Sequence, residues 1–421
     1  MINIINKFFP QSKNFDSISL AFKRLRENTD VEKIFKAIGN FSDTSEIRYV
    51  GGCVRKIIKN ELVDDIDLAV NLKPQEVCEA LKKNNISFYE SGIEHGTITA
   101  TINGNKFEIT SLRKDVKTDG RHATVEFSND WYIDASRRDF SVNAIYADIN
   151  GNLYDPFNGR KNIESGTVKF IGDGEKRIRE DYLRVLRYVR FFLNYSQVGH
   201  DRNITKIIKK NLNGISKISS ERLLDEFKKL VKSNGFLKLN KDKFCLELIN
   251  LIFPQFKNIH ILKNITKKNI SNLDFIILIS LLVNDSSDNA EYFLYKFNFS
   301  KKNQKRILFL REFFSKPTNG KTFSKNNLWR IFYLNEKQSL LDLLNYQILK
   351  SKKSNFFFLE LIDFFKDKEK PLLPIKGDYL INKFNISEGK ELGAKLKKIE
   401  EKWINNNFKI SDEEIKKLIL N

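Results

Sequence analysis

The chain has 421 residues, 41% of them hydrophobic, and Lys plus Arg exceed Asp plus Glu by 73 − 53 = 20. That length exceeds one compact core and predicts two to four domains, and that charge predicts a polyanionic partner, most simply nucleic acid. Cys53, Cys78 and Cys245 are odd in number and share no metal-ligand spacing, which excludes a disulfide framework and predicts a reducing, cytoplasmic setting.

The first residues, with Ile4, Ile5, Phe8 and Phe9 broken by Pro10, lack a signal-peptide core and read as a lead-in to a helix around Ser19–Arg26. Helical periodicity follows over Val31–Ile38, then a strand-like run Ile47–Val50, a glycine pair, and a short basic helix Val54–Lys59. A second strand is predicted at Ile66–Val70 and a helix at Gln75–Lys83, opened by Pro74. Strands Gly96–Ile102 and Lys106–Ser111 are joined as a hairpin by Asn103-Gly104-Asn105. Residues 113–122 are polar and aperiodic and read as a mobile loop; Phe140–Asp148 reads as a further strand, and Asp155–Gly159 as a turn. Beyond Gly172 amphipathic helical runs dominate, punctuated by Gly214, Gly235, Pro254, Pro317, Pro371 and Pro374. The longest apolar run, Phe275 to Val283, is too short to span a bilayer and predicts a buried helix.

The segment Tyr49-Val-Gly-Gly-Cys-Val-Arg55 carries the clearest chemistry. Gly51 and Gly52 fall between a strand and a helix, where backbone N–H groups approach phosphate oxygens closely. Asp65 and Asp67 then flank Ile66, and strand residues two apart share a face. Paired carboxylates beside a phosphate-binding turn suit Mg²⁺ carrying a nucleoside triphosphate. Further on, the forked donors of Arg137 and Arg138 match phosphate oxygens, and Asp139 can accept from ribose hydroxyls. In Arg179–Phe191, read as one continuous helix, Asp181, Arg184 and Arg187 recur every three residues opposite an apolar stripe of Val185, Val189 and Phe192. Ser219 or Ser220 caps a later helix, with Glu221 and Arg222 placed to brace its neighbour. His200-Asp201 suggests a metal phosphohydrolase pair, but His95, His122 and His260 offer no helical ligand spacing to complete it.

Gly-Gly-x-Val-Arg, a spacer and Asp-x-Asp resemble the first motif of the nucleotidyltransferase superfamily, in the branch of bacterial tRNA nucleotidyltransferases (CCA-adding enzymes) and poly(A) polymerases. Arg137-Arg-Asp-Phe140 with Asn143, Glu180-Asp-x-x-Arg184 and Ile218-Ser-x-Glu-Arg222 resemble later motifs of that branch, in order over residues 45–230. The resemblance implies an α+β protein: a polymerase-β-like head with a mixed or antiparallel sheet, followed by an all-α neck, body and tail. It divides the chain into lead-in 1–30, head 31–150, neck 151–232, body 233–330 and tail 331–421.

It also implies roles. Asp65 and Asp67 hold Mg²⁺, and Glu108 is the third carboxylate. Gly51, Gly52, Arg55, Arg138, Asp139 and Asn143 bind the phosphates and sugar; Asp181 and Arg184 read the base, with Arg187 and Arg190 near the triphosphate or helix partners. Residues 113–122 act as a lever between bases. Cytosine and adenine both present an amino donor beside a ring-nitrogen acceptor, matching a carboxylate and a guanidinium, whereas guanine and uracil reverse both contacts. A site built to hydrogen-bond rejects the reversed pattern by a factor on the order of 10⁴. The implied function is template-independent addition of CCA, from CTP and ATP, to the tRNA 3′ end, with the helical half gripping acceptor stem and elbow. Poly(A) addition is the rival, and Tyr89-Glu-Ser-Gly-Ile-Glu-His-Gly-Thr97 reads as in CCA-adding members. A non-catalytic RNA-binding scaffold is a third reading, against which the retained Asp65 and Asp67 speak. Oligomeric state is not legible.

Overall fold

The computed structural model describes residues 15–118, 123–266, 273–285, 287–317, 319, 321–351 and 356–420. The chain divides into two compact units, 1–248 and 249–421. The first opens with helices α1 (Phe15–Asn28) and α2 (Val31–Gly39), then β1 (Ile47–Val50), α3 (Gly52–Ile58), β2 (Ile66–Val70) and α4 (Pro74–Lys83). Strands β3 (Ser87–Gly92), β4 (Thr97–Ile102), β5 (Asn105–Ser111), β6 (Arg113–Thr118) and β7 (Ala123–Phe127) follow. After α5 (Trp131–Arg137) come β8 (Tyr146–Ala147), β9 (Leu153–Tyr154) and helices α6 (Gly159–Glu164), α7 (Gly174–Glu180), α8 (Leu183–Tyr195), α9 (Arg202–Lys210), α10 (Ser220–Val231) and α11 (Lys243–Ile252).

Seven strands form one mixed sheet in the order β3-β4-β5-β2-β1-β8-β9. Only β2 and β5 run parallel, with Asp67 opposite Glu108. Alternation of buried and exposed residues along β5 sets one apolar face toward the core. Ile98, Ala100, Phe107 and Ile109 are fully buried or nearly so, while α2 covers the sheet with Val31, Ile34, Phe35 and Ile38. Tyr49 lies between Phe22 and Phe35, with ring centroids 5.0 and 4.8 Å away. Each such side chain contributes about 1.5–3 kcal/mol by leaving water.

Four local expectations change. The 113–122 stretch is not an aperiodic loop throughout: Arg113–Thr118 pairs with Ala123–Phe127 as a separate ribbon, and residues 119–122 lie outside those described. Ser87–Gly92 is a strand that polar composition had hidden. The strand predicted at Phe140–Asp148 shrinks to Tyr146–Ala147, because Ser141–Asn143 form a 3₁₀ turn. Asp139 builds that turn by accepting from the Phe140 amide at 2.9 Å and from Asn143 Nδ2 at 2.7 Å. The helix predicted over Arg179–Phe191 breaks at Asp181, whose backbone is extended (φ −153°, ψ 104°) and whose carboxylate accepts from the Leu183 amide at 3.1 Å. A short side chain that bonds its own backbone favours such a break over helix interior.

The second unit is helical. One core gathers Ile277, Leu281, Leu310, Leu328, Leu343, Leu344 and Phe365. The run Phe275–Val283 is a helix within it, capped by Asp274, whose carboxylate accepts from the Ile276 and Ile277 amides. A second, smaller core joins Ile375, Leu380, Ile399, Ile415 and Ile419. Among the described residues no helix is long and apolar enough to cross a membrane.

Candidate active site

The strand-to-helix turn after β1 depends on Gly51, which caps α3 at φ +69°, a left-handed conformation that side-chain-bearing residues adopt at a cost. A Cβ on Gly51 would lie 3.9 Å from Arg138 Nη1 and 4.0 Å from Asp67 Oδ2, and one on Gly52 3.7 Å from the same Asp67 oxygen. The glycine pair, the second aspartate of the Asp-x-Asp and the second arginine of the Arg-Arg pair therefore meet at one place. Cys53 fixes α3 there, its thiol 3.3 Å from the Val50 carbonyl and 3.6 Å from that of Asp67.

Asp65 and Glu108 are exposed and Asp67 half-buried, at the beginning of β2 and beside it on β5. Burial pushes the Asp67 carboxyl up to about 6, with Glu108 and Asp65 adding to the rise and Arg138 and Arg55 opposing it. Among the described residues, three ligating side chains converge within 4.8 Å at His200, Asp242 and Cys245, so the acidic trio is not drawn together that tightly. Lys56 pairs with Asp64, next to this group.

Arg138 is held by partners the sequence motif did not announce. Asp134, 1% exposed, accepts from Arg138 Nη2 at 3.0 Å, Arg137 Nη2 at 2.6 Å and the Tyr146 hydroxyl at 2.6 Å. Burial would raise the Asp134 carboxyl, but Arg138 and Arg137 outweigh it and hold it well below the usual carboxylate range. Asp134 stands three and four residues before the arginines on α5 and its C-cap, a helical spacing that the sequence does display.

Asp139 is 6% exposed. Its Oδ2 accepts from Arg187 Nε at 2.6 Å and its Oδ1 from Asn143 Nδ2 at 2.7 Å. Asn143 Oδ1 in turn accepts from Arg55, whose guanidinium lies over the rings of Phe191 and Tyr195 at 5.0 and 5.2 Å. Four of the predicted residues thus form one buried chain from α3 to α8. Arg190 is paired separately with Glu226, itself 2% exposed.

The Arg184 amide donates to the Asp181 carbonyl at 3.0 Å, but the two side chains take different partners. Asp181 Oδ2 accepts from Arg222 at 2.7 Å, so Arg222 braces this segment as its neck position suggested. Arg184 donates to Glu180 Oε2 at 2.8 Å, to the Arg177 carbonyl at 3.0 Å and to the Arg137 carbonyl at 3.4 Å. That last contact joins the base-reading candidate to the helix that leads into the candidate phosphate-binding Arg138. Behind them, the Asp155 carboxylate accepts from the amides of Gly159 and Arg160 at 2.7 and 2.8 Å. Gly159 sits so close to the Ser141 carbonyl that a Cβ would lie 2.2 Å from it, which ties α6 to the Asp139 turn.

Comparison with known proteins agrees with this architecture. Residues 47–169 match the family described as the Poly A polymerase head domain, and residues 269–419 the family described as tRNA nucleotidyltransferase domain 2, putative. The chain is 30% identical over 387 residues to the mitochondrial CCA tRNA nucleotidyltransferase 1 of Mus musculus, covering 89% of this chain and 86% of that protein. It is 30% identical over 388 residues to the CCA-adding enzyme of Staphylococcus epidermidis, covering 87% and 92%. The crystal structure of the Bacillus stearothermophilus CCA-adding enzyme in complex with CTP shares the fold at a TM-score of 0.66 and 19% identity, covering 94% of both chains. The chain belongs to the family of CCA-adding tRNA nucleotidyltransferases.

Proposed function

We propose that this chain adds CCA to the 3′ end of tRNA from CTP and ATP, releasing pyrophosphate at each step. The observation that supports it most is the convergence on the Gly51–Gly52 turn, where a Cβ on either glycine would lie within 4.0 Å of Asp67 Oδ2 and one on Gly51 3.9 Å from Arg138 Nη1, with Glu108 opposite Asp67 on the parallel strand. Family membership and the two matching domains point the same way.

The donor set fits Mg²⁺. Asp65, Asp67 and Glu108 offer only oxygen ligands, and burial, with Glu108 and Asp65 adding to it, lifts the Asp67 carboxyl, a cost that a divalent cation would relieve. Asp65 and Asp67 would hold the metal, with Glu108 beside them. When bound, Mg²⁺ would lower the pKa of the RNA 3′-hydroxyl and neutralise charge on the triphosphate. The chain's own residues do the rest. Gly51, whose own amide donates to the Ile145 carbonyl at 3.4 Å, sets the turn that brings the Gly52 amide up to the phosphates, and Arg138, clamped by Asp134 and Tyr146, donates to them.

Asp181 and Arg184 select the base. Asp181 shares its carboxylate with Arg222 and Arg184 its guanidinium with Glu180, so each presents a fixed edge rather than a mobile one. The resemblance assigns Asp139 to the ribose, but with Arg187 and Asn143 on its oxygens it acts first as the frame that sets α8. In the second unit Lys301, Lys302, Lys305, Lys337, Lys368 and Lys370 line one open groove, a track for the phosphodiester backbone of tRNA.

The test is incubation with tRNA ending at the discriminator base, CTP, ATP and Mg²⁺. Addition of two cytidines and one adenosine, then arrest, is the expected product. A long adenosine tail would establish poly(A) addition instead, and tight tRNA binding without incorporation would leave only a binding scaffold.

A further inference from the structure

His200, Asp242 and Cys245 bring one imidazole nitrogen, one carboxylate oxygen and one sulfur within 4.8 Å of one another, outside the carboxylate site. His200 follows α8, and Asp242 and Cys245 lie at the start of α11, so the three meet only in the folded chain and show no motif spacing. We propose that they form a binding site for a borderline-soft divalent cation of the zinc type.

The geometry supports this at each donor. His200 Nε2 lies 3.0 Å from both Asp242 oxygens and 3.9 Å from Cys245 Sγ. Its other nitrogen, Nδ1, is 3.0 Å from the Tyr188 hydroxyl, the outer-shell hydrogen bond that fixes the tautomer of a ligating histidine. The ring itself is held, stacked on Phe192 at 3.6 Å and edge-on to Phe244 at 4.8 Å. Asp242 Oδ1 accepts from the Cys245 amide at 2.8 Å, which holds the carboxylate against the cluster.

A mixed nitrogen, oxygen and sulfur set suits zinc and disfavours Mg²⁺. In a tetrahedral site with bonds of about 2.0–2.3 Å, ligands stand roughly 3.3–3.8 Å apart, so closure needs movements of about 1 Å or less. Cys245 is fully buried, while the His200 and Asp242 side chains are 15% and 21% exposed, so an ion can enter from their side and water would complete the tetrahedral set. On binding, the Cys245 thiol proton passes to solvent as the sulfur–metal bond forms, and the imidazole binds neutral. The ion would tie the end of α8 to the start of α11. A His–Asp hydrogen bond beside an unused thiol is the alternative.

Chelator-stripped full-length protein titrated with Co²⁺ separates the two. A thiolate ligand gives a sulfur-to-cobalt charge-transfer band that carboxylate sites cannot produce. The proposal predicts this band at one equivalent, its loss on adding Zn²⁺, and its retention in the Asp65→Asn/Asp67→Asn variant. Cys245→Ser should abolish it, and His200→Gln should weaken Co²⁺ binding at least tenfold. Zn²⁺ should raise the melting temperature of the parent protein and leave that of Cys245→Ser unchanged. His200→Gln keeps the thiol, so it serves if Cys245→Ser fails to fold. Absence of the band in the parent protein, or an undiminished band in either variant, overturns the assignment.

Discussion

Arg187 Nε donates to Asp139 Oδ2 at 2.6 Å, joining a helix of the neck to the turn that follows the Arg-Arg pair. Asp139 is nearly enclosed and Arg187 about two-thirds so. Breaking such a pair leaves a buried charge without its partner. Asp139→Ala and Arg187→Ala are each expected to cost about 3 kcal/mol, at the lower end for a buried ion pair because Arg187 keeps some solvent. In a double-mutant cycle followed by urea unfolding, the double variant should lose far less than the sum. Additive losses would show that the pair does not act as a unit.

Acid should act through the same carboxylates. Arg187 holds Asp139, and Arg138 and Arg137 hold Asp134, well below the ordinary 3.8 despite burial. With folded values depressed, their stabilisation is complete above 3.8 and declines as pH falls below it toward the folded values. Unfolding midpoints should therefore drop steeply below about pH 4. Asp139→Asn, which cannot titrate there, should start lower but fall less steeply over the same interval. Parallel curves for parent and variant would remove Asp139 from the account.

Arg184→Ala should narrow the preference for CTP and ATP over UTP and GTP by about ten- to a hundredfold, the worth of one good base contact. The ratio of kcat/KM values is the readout, because Arg184 also bonds the Arg177 and Arg137 carbonyls and its loss lowers overall rate as well. An unchanged ratio with a lowered rate would leave Arg184 a structural brace.

Charge reversal in the lysine groove, Lys301→Glu with Lys305→Glu, should weaken tRNA binding and flatten its salt dependence by about one log unit per log unit of salt for each lost phosphate contact. The KM for CTP should not change. Equal affinity at low salt would place the RNA elsewhere.

The sequence disclosed what depends on near neighbours. The apolar strand-like runs Ile47–Val50 and Ile66–Val70, the glycine pair and the Asp-x-Asp spacing are local, and each lies where its pattern indicated. Surface strands such as Arg113–Thr118 escaped because their charged residues hide a period of two. The breaks at Asp139 and Asp181 escaped because a side chain bonding its own backbone overrides the surrounding helical or strand pattern. Pairs formed across the fold leave no trace in spacing: Asp139 and Arg187 are 48 residues apart, and Asp181 and Arg222 are 41.

In the proposed function Asp67, with Asp65, would hold the metal that brings the nucleotide to the RNA end. Single-turnover incorporation of CTP by Asp67→Ala, with tRNA affinity measured in parallel, tests it most directly. The expected result is a fall in rate of at least about a thousandfold, about 4 kcal/mol in barrier, with tRNA binding within a factor of about two of the parent. Incorporation within about tenfold of the parent at saturating Mg²⁺ would contradict it.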